Sequence, residues 1–314
     1  MQTIKLSYPH TYQLTDLPET VAAIGFFDGI HLGHQQVIKR AVAAAKERNM
    51  ASAVITFHPH PSVVLNNKAE KVKYITPLAD KQELIAQLQV DRLYMIEFNH
   101  ELSLLSPKQF LDHFIHGLHI KHLIAGFDFT FGHKGEGNMQ NIESFMQHDF
   151  SYTIIPKVEQ DNKKISSTNI RAYLTAGQIE LANEMLGRPF SIRGQVVYGD
   201  QRGRTIGYPT ANLEVENDTL LPKSGVYAVK VVYQGELYEG MANIGVKPTF
   251  KDDLKKPSVE VNIFNFNEQI YGEEILMQLF TFIREEKKFA GVEELVSQIQ
   301  QDEREIKAFF NIDK

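Results

Sequence analysis

Two stretches of this 314-residue chain concentrate the residue types that handle phosphate. In Gly25-Phe-Phe-Asp-Gly-Ile-His-Leu-Gly-His34, two imidazoles, His31 and His34, flank Gly33, which admits a close backbone approach. Such a pair can donate hydrogen bonds to phosphate oxygens as charge develops in phosphoryl or nucleotidyl transfer. An arbitrary H-x-x-H is more simply two surface histidines on a first helical turn; a position after an apolar strand, with glycines on both sides, reverses that preference. In KISSTNIR (Lys164–Arg171), Ser166, Ser167 and Thr168 bring three hydroxyls to a helix start, and Arg171 adds a bidentate cation about one turn on. Capping alone employs one hydroxyl and leaves the rest without a task. The second stretch, GDQRGRTIGYPTANL (Gly199–Leu213), sets Gly199, Gly203 and Gly207 around Arg204, followed by the Thr210 hydroxyl and Asn212 carbonyl oxygen, both suited to hard Mg²⁺. A glycine-rich turn between strands with a buried Thr-Asn pair accounts for the same segment equally well. There is no G-x-x-x-x-G-K-[ST], so a P-loop kinase is excluded.

The elements that must carry these residues fall into two kinds. Strand-like runs at Val21–Phe26, Ser52–Phe57, Arg92–Phe98, His122–Phe127 and Tyr152–Pro156 alternate with helical stretches, which argues an α/β, doubly wound parallel sheet with helices on both faces. Its first helix carries Val37, Ile38, Ala41, Val42 and Ala45 on one stripe; a second runs from Pro77 to Gln89, and a third opens with Ser106 as N-cap and Pro107 at N1. In that sheet the first stretch sits at the carboxyl end of a strand and the start of a helix, where ligands and anions bind. A helical segment ends at Gly187-Arg188-Pro189. Beyond it, five β-branched and aromatic runs separated by turn residues suggest an antiparallel β-barrel closed by a terminal amphipathic helix after Gly291. The division expected is 1–186 and 187–314.

Composition narrows the classes. With 33 basic and 39 acidic residues the net charge is −6, which disfavours a polybasic nucleic-acid binder. The absence of cysteine excludes disulfides, thiolate metal sites and cysteine nucleophiles. Apolar runs are too short to span a bilayer and the start lacks a secretory h-region, so a cytoplasmic location without membrane association is expected. All 12 histidines lie between His10 and His148, as though the halves ran on different chemistry. His113, His116, His119 and His122 recur every three residues, but Gly117 interrupts them and no carboxylate pair completes a ligand set.

The motifs carry a resemblance. H-x-G-H after a first strand resembles the signature of the nucleotidylyltransferase superfamily, a Rossmann-like fold. Together with FHPHP (Phe57–Pro61), GFDFTFG (Gly126–Gly132) and KISSTNIR it is similar to the bacterial FAD synthetases. The resemblance implies that His31 and His34, with Gly25, Phe26, Asp28 and Gly33, meet ATP, and that Ser166, Ser167, Thr168 and Arg171 bind phosphate from the opposite side. His58, His60 and Asp128 become candidates for the flavin side. The second half, through GDQRGRTIGYPTANL, KSGVYA (Lys223–Ala228), NIGVKPTF (Asn243–Phe250) and SVEVNIFNF (Ser258–Phe266), resembles riboflavin kinases. That implies Mg-ATP at Thr210 and Asn212, within a loop containing Gly199, Arg204 and Gly207, and Glu260 as general base. Alternation supports Glu260 independently: Val259, Val261 and Ile263 share one strand face and Glu260 and Asn262 the other. A solvated glutamate on an edge strand is the plainer account of that residue without the resemblance. Arg284 and Phe289 would help close over flavin. Asn262 and Asn265 depart from the His and Asp of many relatives, which bears on ATP or flavin affinity. The implied activity is phosphorylation of riboflavin to FMN and adenylylation of FMN to FAD, with ATP and Mg²⁺, by a monomer or weak homo-oligomer. Its rivals are an adenylyltransferase with an impaired kinase half and a non-catalytic flavin-binding regulator. A class I aminoacyl-tRNA synthetase shares the H-x-G-H logic, but no basic anticodon domain is present.

Overall fold

The computed structural model describes residues 1–12, 16–65, 72–146, 150–160, 163–199, 202–247 and 256–312. Residues 200–201 of the glycine-rich loop and 248–250 of NIGVKPTF lie outside the described residues. The chain forms two compact units, Met1–Ser167 and Thr168–Lys314.

The first unit is built on six parallel strands: β1 (Gln2–Leu6), β2 (Thr20–Ile24), β3 (Ala51–His58), β4 (Arg92–Glu97), β5 (Ile120–Gly126) and β6 (Ser151–Ile155), in the order β1-β4-β3-β2-β5-β6. Every residue of β2 is buried. Its Ala22 and Ile24 enter one core and its Val21 and Ala23 the other, because successive side chains leave a strand on opposite faces. That second core is closed by α1 (Leu32–Arg48) through Val37, Ile38, Ala41 and Ala45, four of the five stripe residues. Further helices are α2 (Leu78–Gln87) and α3 (Pro107–Phe110), the latter opened by a Ser106–Gln109 capping box and followed directly by a π-helix over Leu111–His116. The strand missing from the sequence reading is β1, an edge strand whose burial alternates at Ile4 and Leu6, too short and polar to stand out. The chain leaves β2 toward β3 on one side and takes up β5 on the other, so the loop after β2 opens at the topological switch point.

The second unit contains α4 (Ser167–Ala176, starting at the division), α5 (Ile179–Leu186), six antiparallel strands and a terminal helix α6 (Val292–Phe309). The strands β7 (Phe190–Val197), β8 (Ala211–Val215), β9 (Gly225–Tyr233), β10 (Glu236–Lys247), β11 (Lys256–Ile263) and β12 (Glu274–Arg284) close a barrel in the order β7-β8-β11-β10-β9-β12. Strand β8, Ala-Asn-Leu-Glu-Val, is the sixth; its Asn and Glu mask it in sequence, and barrel closure recruits it between β7 and β11. Packing divides the chain ahead of 186/187 because α5 buries Ile179, Ala182, Met185 and Leu186 while lying on β7 and β12. Its Asn183 amide nitrogen donates to the Leu279 carbonyl at 2.9 Å, and its amide oxygen accepts from the Phe190 N–H at 2.6 Å.

Candidate active sites

The loop joining β2 to α1 is held in an unusual shape. Phe27 (φ 53°), Gly29 (φ 91°) and Ile30 (φ 40°) are all left-handed. For non-glycine residues this costs on the order of 1–3 kcal/mol each, tolerated only where the surroundings over-determine it. Here Phe27 and Ile30 are nearly fully buried. The loop delivers His31 to the N-cap of α1, where its Nδ1 accepts the His34 N–H at 3.2 Å. The two imidazoles stack with centroids 3.5 Å apart and planes 18° from parallel. Phe27 meets His34 edge-on at 5.2 Å. Gly33 matters because a Cβ there would lie 3.1 Å from the His31 ring. The expected pair is thus a preassembled stack at a helix N-terminus, a place that favours anions.

The surrounding candidates divide between presenting and supporting roles. Asp28 is 3% exposed, and its carboxylate accepts the Ile75 and Thr76 N–H groups at 3.3 and 3.1 Å. Ser167 donates its hydroxyl to the Asp28 carbonyl at 2.8 Å, tying the ISST segment to the loop. Thr168 and Arg171 follow on α4. His60 packs edge-on against Phe26 at 4.4 Å, and its Nδ1 accepts from the Ser62 N–H at 3.1 Å, while His58 lies 5.9 Å from the Tyr74 ring. Both histidines therefore sit at the carboxyl end of β3, in the aromatic cluster around Phe26. Asp128 is exposed beyond β5, 3.4 Å from the Lys164 ammonium. One residue the sequence reading did not select is Lys81. It shares an inward stripe of α2 with Ile85, is 2% exposed, and reaches the Phe26 carbonyl at 3.0 Å. A lysine among the apolar positions of an amphipathic helix was the legible signal.

The spaced histidines go separate ways. His113 Nε2 accepts the His10 N–H at 3.0 Å, His119 meets the Leu17 carbonyl at 2.8 Å, and His122 lies between the Ser151 and Thr153 hydroxyls at 2.6 and 3.0 Å.

In the barrel, strand register assembles the second site. Asn212 of β8 pairs with Glu260 of β11, which pairs with Asn243 of β10; Asn243 pairs with Val226 of β9, and that with Arg284 of β12. Directly paired residues share a face, so this row aligns Asn212, Glu260, Asn243 and Arg284 across five strands. Asn243 was not anticipated; only the register reveals it. Glu260 Oε1 accepts the Ser258 hydroxyl at 3.1 Å. A cavity of about 290 Å³ is lined by Glu260, Asn243, Asn262, Arg284 and Phe289. A second, of about 380 Å³, is lined by Arg204, Phe266 and Tyr271. Thr210 belongs to both walls.

The two departures have structural roles. Asn262 is 7% exposed and its Nδ2 donates to the Pro209 carbonyl at 2.7 Å, linking β11 to the segment that presents Thr210. Asn265 is left-handed at φ 54°, a conformation asparagine tolerates well. Gly199 lies so close to the Asn212 side-chain amide that a Cβ would overlap it, and Gly207 turns the loop at φ 85°. Arg284, expected over flavin, lines the first cavity while its guanidinium is clamped by the buried Asp302 of α6 (2.7–3.0 Å), with Phe289 5.9 Å away.

Comparison with known proteins gives each half a counterpart. The FAD synthetase family model matches residues 13–169, and the riboflavin kinase family model matches residues 186–310. A Listeria monocytogenes protein named bifunctional riboflavin kinase/FMN adenylyltransferase is 49% identical over 311 residues, covering 99% of this chain and 98% of its own. A Bacillus subtilis protein of the same name is 46% identical over 316 residues, covering 100% of both chains. Among solved structures, one from Streptococcus pneumoniae, named a macrolide-efflux protein, superposes with a TM-score of 0.88 at 34% identity over 98% of this chain and 99% of that one. Among the described residues of this chain no helix is long and apolar enough to cross a membrane.

Proposed function

This chain belongs to the bifunctional riboflavin kinase/FMN adenylyltransferase family, and on that premise we propose which of its residues perform the two reactions. The enzyme phosphorylates riboflavin to FMN and adenylylates FMN to FAD, spending one ATP on each step.

The observation that carries the kinase assignment is the Asn212–Glu260 pairing at a wall where two cavities share Thr210. A general base must touch the proton it removes, so riboflavin occupies the Glu260 cavity with its ribityl chain toward Thr210. ATP occupies the Arg204 cavity with its γ-phosphate at the shared wall. Glu260 takes the 5′-hydroxyl proton as that oxygen bonds to the γ-phosphorus and ADP departs. Ser258 holds the carboxylate, and Asn262 holds the Pro209 segment. The Thr210 hydroxyl and Asn212 amide oxygen are the hard donors Mg²⁺ prefers, in a loop that glycine at 199 leaves room for. Bound there, the ion supplies neutralisation of charge on the polyphosphate.

In the first unit, an oxygen of the FMN phosphate attacks the α-phosphorus of ATP and pyrophosphate leaves. The monoester is already ionised, so no base is required, and positioning and charge stabilisation carry the rate. His31, His34 and Ser167 serve those purposes, Gly25, Phe26 and Gly33 shape the loop, and His58, His60 and Asp128 line the flavin side. The reading extends to a cytoplasmic location and to a monomer or weak homo-oligomer.

A crossed assay tests the assignments. Glu260→Gln should lower FMN formation by roughly 10²–10⁴-fold while added FMN is still adenylylated. His34→Ala should lower FAD formation about 10²–10³-fold and accumulate FMN. Chromatographic analysis showing both activities falling together, or neither, would reject the division of labour.

A further inference from the structure

The first-unit assignment uses the loop of His31 and His34 but leaves open what keeps that loop in its shape. Its backbone turns left-handed at Phe27, and the Phe26 carbonyl is the last acceptor before that turn. Two donors converge on this oxygen, the Thr56 hydroxyl of β3 at 3.0 Å and the Lys81 ammonium of α2 at 3.0 Å. The ammonium also lies 4.4 Å from the centroid of the Phe26 ring. Two residues further along the loop, the Asp28 carboxylate is held by the amides of Ile75 and Thr76, just before α2. The start of α2 and its leading segment thus grip two loop positions, with opposite charges buried between them.

We propose that Lys81 is a positioning residue for adenylyl transfer, its ammonium fixing the Phe26 turn so that His31 and His34 are delivered stacked and ready for phosphate. The proposal rests on the assignment of the two histidines to that reaction. A cation is an expensive fastener in this position. Burial pushes Lys81 down to about 8, with the Asp28 charge working against that shift. A neutral donor would hold one carbonyl more cheaply, so the charge answers to something beyond packing. The charged and titratable neighbours are Asp28 on the β2 loop, Asp80, buried one residue earlier on α2, and His60 and Tyr74, which pack on the Phe26 ring. A protonated Lys81 fastens the loop below pH 8, and its loss of charge above that weakens the hold on the Phe26 carbonyl and removes its attraction to Asp28.

The test uses the full chain and measures both reactions. In the wild-type protein, kcat for adenylylation of added FMN, divided by kcat for riboflavin phosphorylation, should fall about 3- to 10-fold between pH 7 and 9. Lys81→Arg, permanently charged, should keep that ratio level. Lys81→Met should lower adenylylation kcat roughly 10- to 100-fold, change KM for FMN less than 3-fold, and leave phosphorylation at the wild-type rate. A flat wild-type ratio through pH 9, or Lys81→Met adenylylating at the wild-type rate, overturns the proposal; the wild-type measurement decides even if a variant does not fold. His34→Ala is assayed beside them. If it makes FAD normally, the reading of the site fails, whereas an impaired His34→Ala with an unaffected Lys81→Met removes only the role of Lys81.

Discussion

A hydrogen-bond donor or base acts over a few ångströms, so at the scale of single residues the question is what fixes each atom. Glu260 and Asn212 are side by side because β8 and β11 pair them in register, and Asn212 has Gly199 against its amide. Gly199→Ala should push Asn212 aside; a displacement near 1 Å costs about 10²-fold, so phosphorylation should drop by that order while adenylylation of added FMN is retained. An alanine variant that phosphorylates riboflavin normally would remove Asn212 from the reaction. At this scale the sequence was readable where a side chain is chemically loaded and set in a glycine-rich context, as with His31, His34, Thr210 and Asn212. It was not readable for Asn243, and for Lys81 the helical stripe marked the position but not its use, because the significance of each lies in a partner far along the chain: Glu260 by register, the Phe26 carbonyl by packing.

Elements place these residues, and the terminal helix shows how. Helix α6 is bolted to the end of β12 by Arg284 and Asp302, the carboxylate being 1% exposed, and Leu295, Ile299 and Asp302 of the same helix form part of the wall of the Glu260 cavity. Asp302→Ala leaves a largely buried guanidinium without its counter-charge. That should destabilise the fold by about 3–5 kcal/mol and, in the folded fraction, raise KM for riboflavin more than KM for ATP. Denaturant titration together with steady-state kinetics checks both parts. Replacing the pair together, Arg284→Met with Asp302→Leu, should recover much of the stability. A single variant as stable as the wild type would show that the pair anchors nothing. Apolar periodicity revealed α1, α6 and the central strands, since a face packed on a core must be largely apolar. Edge strand β1 and strand β8 were hidden because half-exposed or polar strands look like loops until their partners are known.

For the molecule as a whole, the confinement of histidine to one half becomes a statement about acid stability. His113 is held down to about 4 by burial and then by His10; His10 is lowered by burial against the raising effect of its bond to His113; His122 is lowered by burial and by Arg48 and Arg40. Each binds its proton less readily when folded than at the ordinary value of 6.5. Between pH 6.5 and about 4 the unfolded chain therefore takes up more protons, and stability falls with pH across that window, with the contribution complete above it. The thermal midpoint of the first unit should drop on acidification from pH 6.5, and His113→Gln, which can still accept the His10 N–H, should flatten that slope. An unchanged slope in the variant would shift the cause to other groups. By itself the sequence determined the two architectures through hydrophobic period and, through the resemblance its motifs carry, the two reactions, because both are local properties of the chain. Only the tertiary structure decided which strands close the barrel, that Asn243 stands beside Glu260, and that a buried lysine grips the histidine loop. Those depend on register and packing between residues distant in sequence, and no local pattern encodes them.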